Sequence, residues 1–172
     1  ELISYLVADL HADVSLTDSF GRSAMHYAIS KALPSVVKLL LGHGGSLGSI
    51  INRLDIEGCS LLHFTLQAFV EQAKTHLSFQ HELASRIDAM VTDGSMERSS
   101  ARYMRAPESL EESKQEARSK EKRLFYEKTV GHLFEHGANV NAGRSVLHLA
   151  CQLGSTDVLQ KLLNRGAQVE NS

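Results

Sequence analysis

The chain has 172 residues, 42% of them hydrophobic, and a formal net charge of -2 at pH 7. That is enough apolar material for one folded domain with a real core, and it excludes a chain disordered throughout. The charge balance, with no excess of basic residues, argues against a nucleic-acid partner.

No apolar run approaches the roughly 18 to 20 residues that span a bilayer, so direct membrane insertion is not expected. The opening stretch ELISYLVADL lacks the basic start and cleavage site of a signal peptide. It also lacks an initiator Met and begins inside a helical pattern, so the chain is expected to be an excerpt of a longer protein. Cys59 and Cys151 have no metal-ligand spacing and read as reduced thiols of a cytoplasmic protein, or of a nuclear one.

Residues 1–17 read as the second helix of a helix pair and its closing turn. Ile3, Val7 and Ala8 fall on the face that Val158, Leu162 and Leu163 occupy near the other end of the chain. His11 stands where that later turn has Gly166. A helix-ending position of this kind often takes a left-handed backbone, which His tolerates less well than Gly, so strain is expected there.

Asp18 to Leu47 is a complete unit. Its Gly21, Ser23, His26, Ala28 and the stripe Val36, Val37, Leu40, Leu41 reproduce Gly143, Ser145, His148, Ala150 and Val158, Leu159, Leu162, Leu163. Pro34 is placed in the first turn of the second helix, where a missing N–H costs little. The motif recurs as GRSAMH, GCSLLH and GRSVLH, each followed further on by HGGSL, HGANVN or RGAQVE. A unit too small to bury its own apolar face, repeated in this way, implies stacking.

This pattern resembles the ankyrin repeat family, with Ser in place of the family's Thr each time and Ala24, Leu61 or Val146 in place of its Pro. The resemblance implies an all-α ankyrin-repeat solenoid with short β-hairpin-like fingers, and the long spacing in one repeat adds a helical-hairpin insertion. The expected layout is half a repeat at 1–17, a full repeat at 18–54, a repeat with an extended insertion over about 68–128 within 55–142, and a full repeat at 143–172. The connection Gly45 to Gly58 is about four residues longer than the family spacing and is expected to reach further. The connection Gly137 to Gly143 is about four residues shorter and should be blunt.

After His63, apolar or small residues recur at Leu66, Val70, Ala73, Leu77, Ala84, Ile87 and Val91, as in a long helix that keeps one face against a partner. Residues 91–107 carry breakers and small polar residues and read as a loop. A second long helix is expected from Ser109, whose spacing to Glu112 is that of a capping box, to His136. It carries a thin seam of Leu110, Ala117 and Leu124, and then a normal outer face of Phe125, Thr129, Val130, Leu133 and Phe134. Its mixed charges, with Glu116 and Lys120 at i, i+4, read as a solvated face or as an arm that docks on a partner or a second copy.

The Ser-x-x-His pairs Ser23/His26, Ser60/His63 and Ser145/His148 do not make a hydrolase, because a nucleophile site needs one serine, one base and one orienting acid. A pair that recurs at each helix start reads as capping, and the resemblance implies that the His bridges neighbouring loops. No catalytic residue, cofactor or metal is therefore expected. His76 and His81, five apart, do not share a helical face. Gly42, Gly44, Gly45 and Gly48 lack the GK[ST] that a phosphate loop needs. Cys151 is expected to be buried and Cys59 exposed.

The family resemblance implies protein binding through the surface of fingers and inner helices. The variable positions there are Ser19, Phe20, Arg22, Ser30 and Lys31, then Ile56, Glu57, Cys59 and Gln67, then Arg144, Gln152 and Leu153. Phe20, Ile56 and Arg144 are the anchor candidates, since aromatic, apolar and Arg side chains dominate hot spots. The expected function is a non-catalytic protein-interaction module that binds another protein or another domain of its own chain, with oligomerisation through the helical arm as a further role. The alternative is an intramolecular scaffold or regulatory segment of a larger enzyme or membrane protein.

Overall fold

The structure, a computed structural model, describes residues 2–42, 47–92, 94 and 110–168. Among these it is helical, with isolated β-bridges at Thr17–Ser23 and Cys59–Gly143 and no longer strand. The chain divides into two compact units, one formed by Glu1–Val70 with Leu124–Ser172 and the other by Glu71–Arg123.

The first helix, α1, spans Leu2–Ser4 and widens into a π-helical stretch, Tyr5–Asp9. It ends with Leu10 N–H on Tyr5 O at 3.1 Å and Ala12 N–H on Leu6 O at 2.9 Å. His11 makes that turn possible with φ +49°, the left-handed backbone its place in the repeat predicts.

Helix α2, Ala24–Ser30, is opened by a reciprocal capping box in which Ser23 N–H donates to His26 Nδ1 at 3.0 Å. It closes in a Schellman turn, with Leu33 N–H on Ala28 O at 2.9 Å and Ala32 at φ +50°. The matching position in the last repeat is Gly154, at φ +62°. Ala pays a steric cost there that Gly does not, of about 1 kcal/mol or more. Gly is the more disordered residue when unfolded and gives back about half of that. Ala32→Gly is therefore expected to stabilise the fold by roughly 0.5 kcal/mol in urea denaturation; a lower midpoint would mean that the turn is not left-handed in solution.

Helix α3, Pro34–Gly42, starts on its proline as expected and buries Val37 and Leu40 while packing on α2. The long connection that follows does not simply reach outward. It contains a helical turn, α4, Leu47–Ile50, and buries Ile50 and Ile51, so its extra residues feed the core.

Helix α5 spans Leu61–Thr92 and α6 spans Leu110–Glu135, about 48 and 39 Å at the usual rise. Val91 and Thr92 are helical rather than loop; the rest of the proposed loop, Gly94 excepted, and the Ser109 cap lie outside the described residues. In the first unit α5 buries Leu61, Leu62, Leu66, Phe69 and Val70, and α6 buries Phe125, Tyr126, Val130, Leu133 and Phe134. Phe69 and Tyr126 stack there at 5.5 Å between ring centroids.

Beyond that boundary the expected apolar seams are kept only in part: Ala73 and Ala84 are half-buried, and the side chains of Ile87, Val91 and Leu110 lie outside the described residues. In the second unit Leu77 is 62% exposed and Ala117 is exposed, and Leu124 at the edge of the first unit is 50% exposed. Between the helices of this unit the facing side chains are polar, Gln72, Thr75 and His76 of α5 and Gln115, Arg118, Ser119 and Lys122 of α6. The two helices meet through a polar bond, Gln72 Nε2 to Ser119 Oγ at 2.9 Å.

Helices α7, Leu147–Leu153, and α8, Thr156–Asn164, pack as a second helix pair. Ser155 caps α8 by accepting Val158 N–H. Ser145, expected to cap α7, does not; Val146 occupies the cap position with helical backbone and no side-chain bond.

Two asparagines tie successive turns together. Asn52 donates to Gly137 O at 3.1 Å and accepts Asn139 N–H at 2.7 Å. Asn141 donates to Gly166 O at 3.0 Å and accepts Gln168 N–H at 3.0 Å. Each side-chain amide thus satisfies a donor and an acceptor of a neighbouring backbone.

Candidate interaction surface

The surface is built from two nearly identical turns. In the first, Asp18 Oδ1 accepts the N–H groups of Phe20 and Arg22, both at 2.9 Å, and Gly21 closes the turn at φ +76°. In the second, Asp55 Oδ1 accepts Glu57 N–H and Cys59 N–H at 2.9 Å, and Gly58 closes it at φ +73°. A short polar side chain bonding to backbone two and four residues ahead is what an Asp-x-x-Gly sequence favours.

The turns are joined in a row. Ile56 N–H donates to Phe20 O at 3.1 Å, and Arg144 N–H donates to Gly58 O at 3.1 Å. Phe20 and Ile56 do not pack between the turns; they remain 51% and 67% exposed. The backbone between them is nevertheless fixed.

Arg22 is the electrostatic link. Its Nη2 donates to Glu57 Oε1 at 3.2 Å, and its Nε stands 3.8 Å from Asp55 Oδ2. The guanidinium also lies 5.8 Å from the Phe20 ring centroid and 5.6 Å from that of Phe64, within cation–π range. Sequence reasoning placed Arg22 as a contact residue but missed that Asp55, buried beside it, holds the turn.

It also missed Tyr27, exposed on α2, whose hydroxyl donates to Asp18 Oδ2 at 2.5 Å. The bond holds the Asp18 carboxyl below its usual range, helped by Arg22 N–H, and raises the Tyr27 phenol. An exposed tyrosine next to the motif histidine was the available signal.

The remaining candidates divide by exposure. Ser19, Ser30, Lys31, Gln67, Arg144 and Gln152 are exposed, and Leu153 is half-buried against the core. The two cysteines reverse expectation, with Cys59 buried and Cys151 exposed. Cys59 sits in the bridge with Gly143, covered by the neighbouring turn, so it leaves the surface. Cys151 follows Leu149 and Ala150, which take the core-facing positions of α7.

The chemistry of hydrolysis does not fit the Ser23/His26 pair. Ser23 and His26 are 1% and 3% exposed, and His26 Nδ1, the nitrogen 3.0 Å from the Ser23 hydroxyl, already accepts a backbone N–H. Among the described residues His26 makes no hydrogen bond to a neighbouring loop and its Nε2 is buried without a partner, so at His26 the implied bridging is replaced by a local cap and an edge contact with Phe64 at 5.2 Å. Ligand atoms of Asp55, Glu57 and Cys59 lie within 4.8 Å of one another, but this trio is poorly suited to a metal. Asp55 is occupied by two N–H groups and faces Arg22, and burial together with the Asp55 charge pushes the Cys59 thiol up, away from the thiolate a metal needs.

Helix pairs opened by Ser-x-x-His, Asp-x-x-Gly turns in a row and asparagine ties make the comparison with known families decisive. The sequence model of the ankyrin repeat family matches residues 20–55 and 142–172. The chain carries ankyrin repeats. No curated protein shows significant similarity to it. Ankyrin repeats are in general protein–protein interaction modules and are typically non-catalytic. Among the described residues no helix is long and apolar enough to cross a membrane.

Proposed function

We propose that these ankyrin repeats form a solenoid segment, with turns as fingers and α5 and α6 as a long helical insertion, that binds a protein partner through Phe20, Ile56 and Arg144. Glu57, Gln67, Lys31 and Gln152 form the polar surround. The observation that carries this reading is the Ile56 N–H to Phe20 O bond, which holds two large apolar side chains exposed on an ordered backbone. A surface already ordered loses little entropy when it binds.

The test compares partners retained by the chain and by a Phe20→Ala, Ile56→Ala, Arg144→Ala variant. All three changes remove exposed side chains and keep the backbone bonds, so stability should move by no more than about 0.5 kcal/mol per site. Binding should weaken at least tenfold, the loss of about 1.4 kcal/mol that one good anchor supplies. An unchanged partner set at unchanged affinity sinks the surface assignment. Loss of binding only to another domain of the parent chain would instead identify a scaffolding role within one protein.

A further inference from the structure

We propose that the second unit, Glu71–Arg123, carries an anion-binding cleft that takes a phosphomonoester group. The cleft has a volume of about 340 Å³ and lies between α5 and α6, lined by Gln72, Thr75, His76, Gln115, Arg118, Ser119 and Lys122. Seven polar side chains meet there with no carboxylate among them. The charged helix around it is otherwise balanced, so this is a local departure.

Pairing shows which charges are available. Glu116 is engaged by Lys120 at 2.9 Å, and Glu71 by Lys74 at 3.1 Å, both outside the lining. Arg118 and Lys122, one helical turn apart, have no ion-pair or hydrogen-bond partner among the described residues. Two unpaired cations on one face repel each other, and a bound dianion removes that repulsion.

Among the neutral groups Thr75 already donates its hydroxyl to Gln72 O at 2.8 Å, so Ser119 is the hydroxyl with a proton to offer. Gln72 and Ser119 are already joined at 2.9 Å, which fixes the floor and leaves the Ser119 O–H proton free to point outward. His76 is held by Gln80 at 3.1 Å. Arg supplies a planar fork and Lys a point charge, the pair of cations that suits a tetrahedral dianion. The volume falls in the range of small-ligand sites.

The experiment follows backbone amide NMR signals of the full chain during titration with inorganic phosphate, phenyl phosphate and a Gly-flanked phosphoserine peptide, with chloride at matched ionic strength. Saturating shifts at His76, Gln115 and Ser119 are expected with phenyl phosphate or the peptide, at least tenfold weaker in the Arg118→Gln, Lys122→Gln double variant. Gln is a good helix former and both side chains are exposed, so the variant keeps its fold. Equal affinity for the two monoesters identifies a free small molecule as ligand, and preference for the peptide identifies a phosphorylated segment of a protein. Shifts that never saturate, that chloride reproduces, or that survive in the double variant overturn the proposal.

Discussion

Replacing Gly143 by Ala is expected to destabilise the first unit by about 3 kcal/mol. A Cβ at this position would stand 2.3 Å from Gly58 O and 2.7 Å from Leu54 Cδ2, and φ is +75°. The left-handed backbone alone costs a side chain about 1 to 2 kcal/mol. Pressing that carbon into a backbone carbonyl adds an overpacking cost of about 1 to 3 kcal/mol, because the carbonyl belongs to the Gly58 O to Arg144 N–H bond and cannot swing away freely. Gly58→Ala is the control, since Gly58 has φ +73° but nothing within 4 Å of its Cβ position. Urea denaturation of both variants separates the two costs. If Gly143→Ala is no worse than Gly58→Ala, the turns do not press together as the structure has them.

Lowering the pH through about 6.5 is expected to weaken the fold, because His26 and His63 are buried and neutral. Burial is the main cause that holds both imidazoles below their ordinary pKa, with Arg22 adding to it at His26 and with His148 and Arg144 adding at His63. Above the unfolded value of about 6.5 neither state binds a proton and the full stability is present. As pH falls below it the unfolded chain takes up protons that the folded chain refuses, so stability is lost down to the folded pKa. The slope is at most about 1.4 kcal/mol per pH unit for each histidine. At His26 the structural cost is specific, since a proton on Nδ1 removes the acceptor of Ser23 N–H and with it the cap of α2. Thermal melts from about pH 7.5 to 5.5 should show the midpoint falling, and His26→Gln should flatten the dependence. A flat midpoint across that interval in the parent chain would refute the buried-neutral assignment.

Much of the architecture was legible because it is periodic. The Ser-x-x-His starts at Ser23 and Ser60, though not at Ser145, Pro34 at the head of α3 and the stripe around Val158 and Leu162 each state a local preference that the fold keeps. His11 was readable as strained since its neighbours in other repeats are glycines. Ala32, equally left-handed, was missed although Gly154 marks the same position, because the comparison was made on the longer turns.

The errors have a common cause, which is that a sequence position does not say what lies opposite it. Leu77 and Leu124 fall at seam spacing, but burial needs an apolar neighbour, and in the second unit α5 and α6 face each other with charged, amide and hydroxyl side chains. Cys59 looked exposed beside a turn and is covered by the next one, a contact made across residues far apart in the chain. Ile50 and Ile51 were taken into a longer finger, whereas two adjacent isoleucines are costly to leave in water and turn inward. The candidate surface was found in outline from variable positions, while the ties that order it, Asp18 with Tyr27 and Asp55 with Arg22, required coordinates.

The asparagine ties of Asn52 and Asn141 make the same pair of bonds, yet they are not worth the same to the molecule. The Asn52 tie to Gly137 closes a separation of 85 residues, and the Asn141 tie to Gly166 closes one of 25. For a flexible chain the entropy of closure grows with the logarithm of length, so the first tie gives up about 1 kcal/mol more than the second before any bond is made. A single hydrogen bond contributes a net amount of similar size. The longer separation can therefore consume much of what its bonds return, and the junction between Asn52 and Gly137 has the thinner thermodynamic margin.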